Sequence, residues 1–172
     1  MDTDLNLKAF QQLSYGLYVV CSSDGDKMNG QIANCVFQVT SRPPRIAVSL
    51  NKENLTHEFV QKSGEFSVSV LEESVPMKFI GLFGFKSGRD VDKLSHAGHE
   101  QGVTACPVVT EHTLSTMEAK VIGQFNVGTH TIFIGDVVSA NVIREGTPLT
   151  YDYYHKVKRG KSPKNAPTYQ ES

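Results

Sequence analysis

Apolar and polar residues alternate with a period of two along most of this 172-residue chain. Such alternation is typical of β-strands that bury one face, because successive side chains of a strand point to opposite sides of the sheet. The pattern predicts strands at Tyr15 to Cys21, Gly30 to Thr40, Arg45 to Asn51, Glu65 to Leu71, Met117 to Val127 and Thr131 to Val142. We therefore expect a mainly β protein.

The strand predicted at Gly30 to Thr40 carries a polar face behind an apolar one. If it is continuous, one face holds Ala33, Cys35, Phe37 and Val39, and the other holds Asn34, Val36, Gln38 and Thr40. The last two predicted strands are separated by Gly128-Thr129-His130, a tight-turn signal. We expect those two strands to form a central hairpin.

Helical spacing of apolar residues is confined to three short segments. They are Leu5 to Ser14, Asn54 to Lys62, and Val75 to Phe83, the last with Ser74 as its expected cap and Pro76 in its first turn. At least six strands with short helices at the joins favour a barrel with peripheral helices. The chain then divides into one domain at 1–155 and an extended basic tail at 156–172, because Lys156 to Lys164 has no acid and prolines follow.

Charge and cysteine content narrow the possible partners and compartment. A net charge of -1 and a pI near 6.6 give no general attraction for nucleic acid or anionic lipid, so we expect neither as a partner. The three cysteines cannot all pair within the chain and form no Cys-x-x-Cys motif, which favours free thiols in a reducing compartment. Since no apolar run reaches the ~18 residues of a membrane span, we expect a cytoplasmic protein.

Two segments together have the chemistry of a phosphate site. The segment Phe85 to Asp90 offers the planar, permanently charged fork of Arg89 and the mobile charge of Lys86, while glycines at 84 and 88 let its backbone turn toward an anion. Neutral hydrogen-bond donors come from Ser87 and from the earlier segment Ser49 to Glu58. This mixture suits a phosphomonoester better than a metal ion or a carboxylate.

Other candidate sites are weaker. His96, His99 and Cys106 include metal-binding side chains, but a glycine separates the histidines and no further ligand completes the set, so we expect no metal site. Nothing brings His57 beside a cysteine to form a nucleophilic pair, and no Gly-x-Gly-x-x-Gly fingerprint is present. A nicotinamide, if used, would bind without a Rossmann domain.

Five segments together resemble the flavin reductase-like, FMN-binding split-barrel proteins. The segments are Tyr15 to Val20, Asn29 to Asn34, Ser49 to Glu58, Phe85 to Lys93 and Gly128 to Gly135. Within that family the chain is most similar to the flavoredoxin branch and to the flavin domain that some anaerobes fuse ahead of a rubredoxin. The resemblance implies a six-stranded Greek-key split barrel and a homodimer with one FMN per barrel near the subunit interface.

The resemblance also implies which residues bind FMN. The implied phosphate and ring contacts are Asn34, Cys35, Val36, Ser49, Leu50, Asn51, Asn54, Thr56, Phe85, Lys86, Ser87 and Arg89. Many relatives place threonine or serine where Cys35 stands, so a side-chain hydrogen bond that tunes the flavin is lost or weakened here. His130 is the implied catalytic residue; it orients nicotinamide, donates to the reduced flavin, or closes the hairpin by bonding backbone.

The implied function is electron transfer from NADH or NADPH through bound FMN to a flavin, a ferric acceptor or a small redox protein such as rubredoxin. The alternative is a non-catalytic FMN electron carrier, a flavoredoxin, that makes no use of nicotinamide. The tyrosines before the tail either anchor the tail to its own barrel or let it cross to the other subunit, with Tyr154 or Lys164 lining the flavin pocket. The basic tail could also attract an acidic partner or the extra phosphate of NADPH.

Overall fold

The computed structural model describes residues 5–170. Within this range there are nine strands: β1 Tyr18–Ser23, β2 Met28–Ala33, β3 Val36–Ser41, β4 Pro44–Asn51, β5 Glu65–Leu71, β6 His99–Gln101, β7 Pro107–Val109, β8 Thr113–Asn126 and β9 His130–Val142. Seven of them form an antiparallel sheet in the order β2-β1-β5-β8-β9-β4-β3, and β6 pairs with β7 in a small separate hairpin. The mainly β class is confirmed, with seven strands in the main sheet where six were expected.

The additional strand arises because the predicted strand Gly30 to Thr40 is broken at Asn34 and Cys35. β2 pairs with β1 at one edge of the sheet, whereas β3 pairs with β4 at the other edge. Two residues span at most about 10 Å, so the two edges meet at this corner and the sheet rolls into a barrel. The predicted apolar face was therefore wrong: Phe37 and Val39 on β3 are exposed.

The long β8 and β9 form the expected central hairpin, and each also pairs with a further strand. One apolar cluster fills the barrel around the fully buried Phe66 and Phe133. A second cluster lies outside β1, where helix α2, Met77–Phe85, packs through Phe79, Ile80 and Phe83. Together, these clusters fix the barrel and its flanking helix as one framework.

The helices differ in detail from the predictions. The first predicted helix is a 3-10 helix, Leu7–Gln12, with no buried residue, and the second is α1, Leu55–Ser63, which begins after Asn54. The Ser74 cap was wrong: α2 begins after Pro76, which sits at the cap position and has no side-chain hydrogen bond to the helix. A third α-helix, α3 Tyr151–Lys156, was not predicted.

After α3, residues 157–170 contain no helix or strand, as expected for the tail. The tail does not extend away from the protein. Near its end, the Gln170 side chain donates to the backbone carbonyl of Leu7, so the first and last described segments meet. Among residues 5–170, no helix is long and apolar enough to cross a membrane.

Candidate functional site

A cleft of about 600 Å³ opens between β2, the end of β4, the end of α2 and the tail. Its volume is within the range of small-molecule sites. Eight of the predicted binding or catalytic residues line it: Asn34, Ser49, Asn51, Asn54, Phe85, Lys86, Ser87 and His130. The fold thus brings together segments that are far apart in the sequence, and five of these eight residues carry neutral amide or hydroxyl side chains.

Four other predicted residues are not among those that line the cleft. Leu50 is fully buried in the barrel core, and Val36 packs against the same core. Thr56 is fully buried and accepts a hydrogen bond of 2.9 Å from Asn29 Nδ2. Burial raises the pKa of the Cys35 thiol to about 11, so Cys35 is protonated and non-nucleophilic at neutral pH.

Arg89, the fifth predicted residue outside the cleft lining, is paired with a carboxylate. Its guanidinium binds Glu58 on α1 and reaches the backbone carbonyl of Glu53 at 3.4 Å. The hydrogen bond from Arg89 lowers the pKa of the Glu58 carboxyl. Both side chains are about half exposed, so solvent screens the pair and a competing anion can reach the guanidinium.

The loop after α2 approaches β2 closely. A Cβ added at Gly88 would lie 2.0 Å from Oδ1 of the buried Asn29, so only glycine fits here without displacing that side chain. Beside it, the Ser87 hydroxyl accepts from the backbone N–H of Arg89 at 3.2 Å. Lys86 forms no ion pair with any residue of 5–170, which leaves its charge available to a ligand in the cleft.

His130 is buried at the start of β9, directly opposite Asn51 on β4. Its Nε2 lies 3.2 Å from the backbone carbonyl of Asn165, and its Nδ1 lies 2.8 Å from the Thr129 hydroxyl. Because a carbonyl only accepts, Nε2 carries the proton and the Thr129 hydroxyl donates to Nδ1. Burial lowers the pKa of His130, so the imidazole is neutral at pH 7.

Sequence reasoning missed Lys93, which also lines the cleft. Only 4% of this residue is exposed, and its ammonium donates to the backbone carbonyls of Gly30 at 3.0 Å and Phe83 at 3.2 Å. No carboxylate pairs with it within the described part of the chain, and burial lowers its pKa to about 8. Nothing in the sequence distinguishes this lysine from a surface one, since only the fold buries it.

Gln31 was also missed. It lines the cleft, and its Oε1 is buried with no hydrogen-bond partner among residues 5–170. A buried acceptor without a partner is costly, so this side chain favours a ligand that supplies an N–H.

The tail residues cover the cleft on their own chain. Tyr154 donates to the backbone carbonyl of Lys161 at 2.9 Å, and the Tyr151 hydroxyl lies 2.8 Å from that of Thr168. These tyrosines anchor the tail to its own barrel, and Tyr154 and Lys164 both line the cleft. In the described residues no group of three His, Cys, Asp or Glu side chains is placed to hold a metal ion.

The sequence profile of the family described as "Flavin reductase like domain" matches residues 10–159. The chain belongs to this family. It is 50% identical over 165 residues to the high molecular weight rubredoxin of Moorella thermoacetica, covering 96% of this chain and 72% of that protein. It is 48% identical over 168 residues to the ferric-chelate reductase (NAD(P)H) of Archaeoglobus fulgidus, covering 98% of this chain and 99% of that one.

A solved structure has the same fold. Flavoredoxin from Methanosarcina acetivorans superimposes with a TM-score of 0.71 at 22% identity, covering 86% of this chain and 80% of that chain. The resemblance to the flavin reductase-like family, which the sequence segments indicated, is thereby confirmed.

Proposed function

We propose that this protein is an FMN-dependent oxidoreductase of the flavin reductase type, which takes electrons from NADH or NADPH and passes them to a flavin, a ferric acceptor or a small redox protein. The observation that carries the proposal is the cleft of about 600 Å³ in a chain 48% identical, over nearly its whole length, to a ferric-chelate reductase (NAD(P)H). FMN, when bound, supplies the chemistry by accepting a hydride and releasing electrons singly or in pairs.

The cleft residues fit FMN. The amide groups of Asn34 and Asn51 each donate one N–H to the tail and keep a second N–H for a heteroaromatic ring. The buried Gln31 Oε1 needs an N–H donor. Lys86 and Ser87 present a cation and a hydroxyl on a loop that glycine brings close to β2. We propose that the amide side chains bind the flavin ring of FMN and that the loop at 86–88 binds its phosphate.

We assign Arg89 to the phosphate as well, after exchange of its carboxylate partner. Glu58 holds the guanidinium in the same bidentate manner as a phosphate would, and the pair is half exposed. Arg89→Ala and Glu58→Gln break this pair from opposite sides. If Arg89 binds the phosphate, Arg89→Ala weakens FMN binding about tenfold or more, whereas Glu58→Gln leaves it unchanged or tightens it.

Isothermal titration with FMN measures both affinities. Equal affinities for the two variants would remove Arg89 from the phosphate site and leave Lys86 and Ser87. Failure of all three proteins, including the unsubstituted chain, to bind FMN would overturn the cofactor itself.

We propose that His130 acts in the step in which nicotinamide reduces the flavin. The imidazole is neutral and positioned by the Thr129 hydroxyl at one nitrogen, while the other nitrogen holds an N–H at the cleft. When the contact between His130 Nε2 and the Asn165 carbonyl opens, this neutral N–H donor can orient a carboxamide or the edge of a flavin without placing an additional charge in the site. Its share of catalysis is therefore positioning and hydrogen bonding.

The alternative function is a non-catalytic FMN electron carrier, favoured by the shared fold with a protein titled flavoredoxin. An anaerobic absorbance titration separates the two. If NADH or NADPH bleaches bound FMN within seconds, a time on the order of ordinary enzyme turnover, the result supports the reductase. FMN that binds but stays oxidised supports the carrier.

We also propose a homodimer in the cytoplasm. Large apolar side chains are exposed on β3, on β8 and in the turn after β8, including Phe37 at 58% and Phe125 at 58%. Such surface is typical of a contact between copies. Free Cys21, Cys35 and Cys106 support a reducing compartment. Sedimentation equilibrium of the protein and of Phe37→Ser tests the dimer.

A small redox protein such as rubredoxin is the proposed acceptor partner, supported by the 50% identity to a protein named high molecular weight rubredoxin. Lys156 pairs with Asp152 and the Lys158 ammonium donates to the Val75 carbonyl, whereas Arg159, Lys161 and Lys164 are exposed and form no ion pair within residues 5–170. These last three side chains present positive charge at the cleft-lining part of the tail. Electrostatic attraction of an acidic partner predicts an electron-transfer rate that falls as salt is raised.

A further inference from the structure

The tail segment 161–170, called the strap here, forms one wall of the cleft. Residues 161–167 and 169 line it, which is eight of the strap's ten residues. The family match ends at residue 159, so the strap lies outside the part of the chain that the family profile covers. A ligand in the cleft would lie between the strap and the barrel.

Asn165 holds the middle of the strap. Its backbone carbonyl accepts hydrogen bonds from His130 Nε2 at 3.2 Å and from Asn51 Nδ2 at 3.4 Å. Its side-chain amide donates to Asn54 Oδ1 at 3.2 Å. These three partners come from β9, β4 and the start of α1, so the strap is fixed to three separate walls of the cleft.

Thr168 provides a second attachment. Its hydroxyl accepts from Asn34 Nδ2 at 3.0 Å and contacts the Tyr151 hydroxyl at 2.8 Å. Asn34 lies at the corner where β2 and β3 separate. Pro163, before the first attachment, and Pro167, between the two, restrict the backbone, which lowers the entropy lost when the strap is ordered.

We propose that the strap closes over bound FMN and makes FMN a retained prosthetic group instead of a substrate that exchanges in every cycle. This inference rests on the proposed FMN binding. Release of a ligand beneath the strap requires the Asn165 and Thr168 contacts to open together. Because those contacts do not need to form before a ligand touches the other walls, the strap slows release more than it slows binding.

The test compares FMN release from the full chain and from a chain that ends at Pro163. This truncation removes residues 164–172 but keeps Lys161 and Ser162, which contact Tyr154 and Tyr151. A milder variant, Thr168→Val, keeps the side-chain volume and removes the hydroxyl. Gln170→Ala is the matched control, since Gln170 belongs to the strap but bonds only to Leu7 and Gln11, away from the cleft.

Each protein is loaded with FMN, freed of excess, and diluted, and FMN release is followed by flavin fluorescence. We expect release to be about tenfold or more faster from the truncated chain, severalfold faster from Thr168→Val, and unchanged in Gln170→Ala. Circular dichroism melting confirms that the variants are folded. If the truncated chain unfolds, Thr168→Val decides the question.

The outcomes separate the two proposals. A full chain that binds no FMN overturns the proposed function and the strap inference with it. The full chain could instead bind FMN but release it at the same rate as the folded truncated chain and the Thr168→Val variant. That result overturns the strap inference alone and leaves FMN binding in place. Faster release from these two variants but not from Gln170→Ala supports the strap.

Discussion

Replacement of the buried Lys93 by methionine is expected to change how stability depends on pH. The ammonium of Lys93 is held by two backbone carbonyls and no carboxylate. Burial therefore lowers its pKa to about 8 in the folded protein, from 10.5 in an ordinary environment. Between these two values the unfolded chain binds more protons than the folded one, so this lysine makes stability rise with pH.

The magnitude follows from the difference of the two pKa values. At pH 7 the lysine is charged in both the folded and the unfolded chain, so the full free-energy cost of burying the charge applies. The two pKa values, about 8 and 10.5, differ by about 2.5, which at ~1.36 kcal/mol per pKa unit corresponds to about 3.4 kcal/mol. At about pH 9.5 the folded form is neutral and about 2 kcal/mol of that penalty has been relieved. The unpaired carbonyls left by Lys93→Met cost the same at both pH values, so they do not alter this difference.

The assay is urea unfolding of the flavin-free protein at about pH 7 and about pH 9.5, with the same measurements on Lys93→Met. Between these two pH values, we expect the free energy of unfolding of the unsubstituted protein to rise by about 2 kcal/mol relative to that of the variant. The thiol and phenol groups that titrate in the same range are present in both proteins and cancel in the comparison. Lys78→Met removes an exposed lysine from α2 and serves as the control. A difference that stays constant between the two pH values, or that changes in the opposite direction, would refute the reasoning.

Three further substitutions, and a fourth that serves as a control, test the site and the core. His130→Gln keeps a side-chain N–H for the strap but lacks the imidazole, so anaerobic FMN reduction by nicotinamide should slow about tenfold or more without loss of bound flavin, by stopped-flow absorbance. Gly88→Ala should weaken FMN binding about fivefold or more, because the added Cβ displaces Asn29. Gly81→Ala is the control: its Cβ meets nothing within 4 Å, so FMN affinity should be unchanged and α2 should be stabilised by about 0.5–1 kcal/mol. Phe133→Ala should lower the free energy of unfolding by about 3–5 kcal/mol, measured by urea titration, because its side chain is fully buried.

The strands were predictable where apolar and polar side chains alternate, as in β5: Phe66 and Val68 pack in the barrel core, while the hydroxyls of Ser67 and Ser69 donate to backbone carbonyls. The break at Asn34 and Cys35 was not, because apolar and polar residues continue to alternate through the corner and no glycine or proline marks it. Alternation records local burial, but it does not record which neighbouring strand each residue pairs with. The edge positions of β2 and β3 depend on pairing with strands elsewhere in the chain.

The candidate site could be predicted from the sequence only in part, for a similar reason. The segments at Ser49 to Glu58 and Phe85 to Asp90 do meet at the cleft, since one follows a strand of the barrel and the other follows the helix packed against it. The pairing of Arg89 with Glu58 depends on how α1 packs, which no local pattern reveals. Likewise, composition predicted an irregular tail, but the partners of Asn165 lie 35, 114 and 111 residues away.

The strap follows every other wall of the cleft in chain order. A chain emerging from the ribosome completes β9 and α3 before residues 161–170 appear, and domains begin to fold from the N-terminal side during synthesis. FMN can therefore load into an open cleft, and the strap then arrives to cover it. An affinity tag fused after the strap that displaced it would leave the cleft in the open form in which FMN loads, and under our proposal the cofactor would then be released faster. Flavin content measured on such a tagged protein would understate what the natural chain retains.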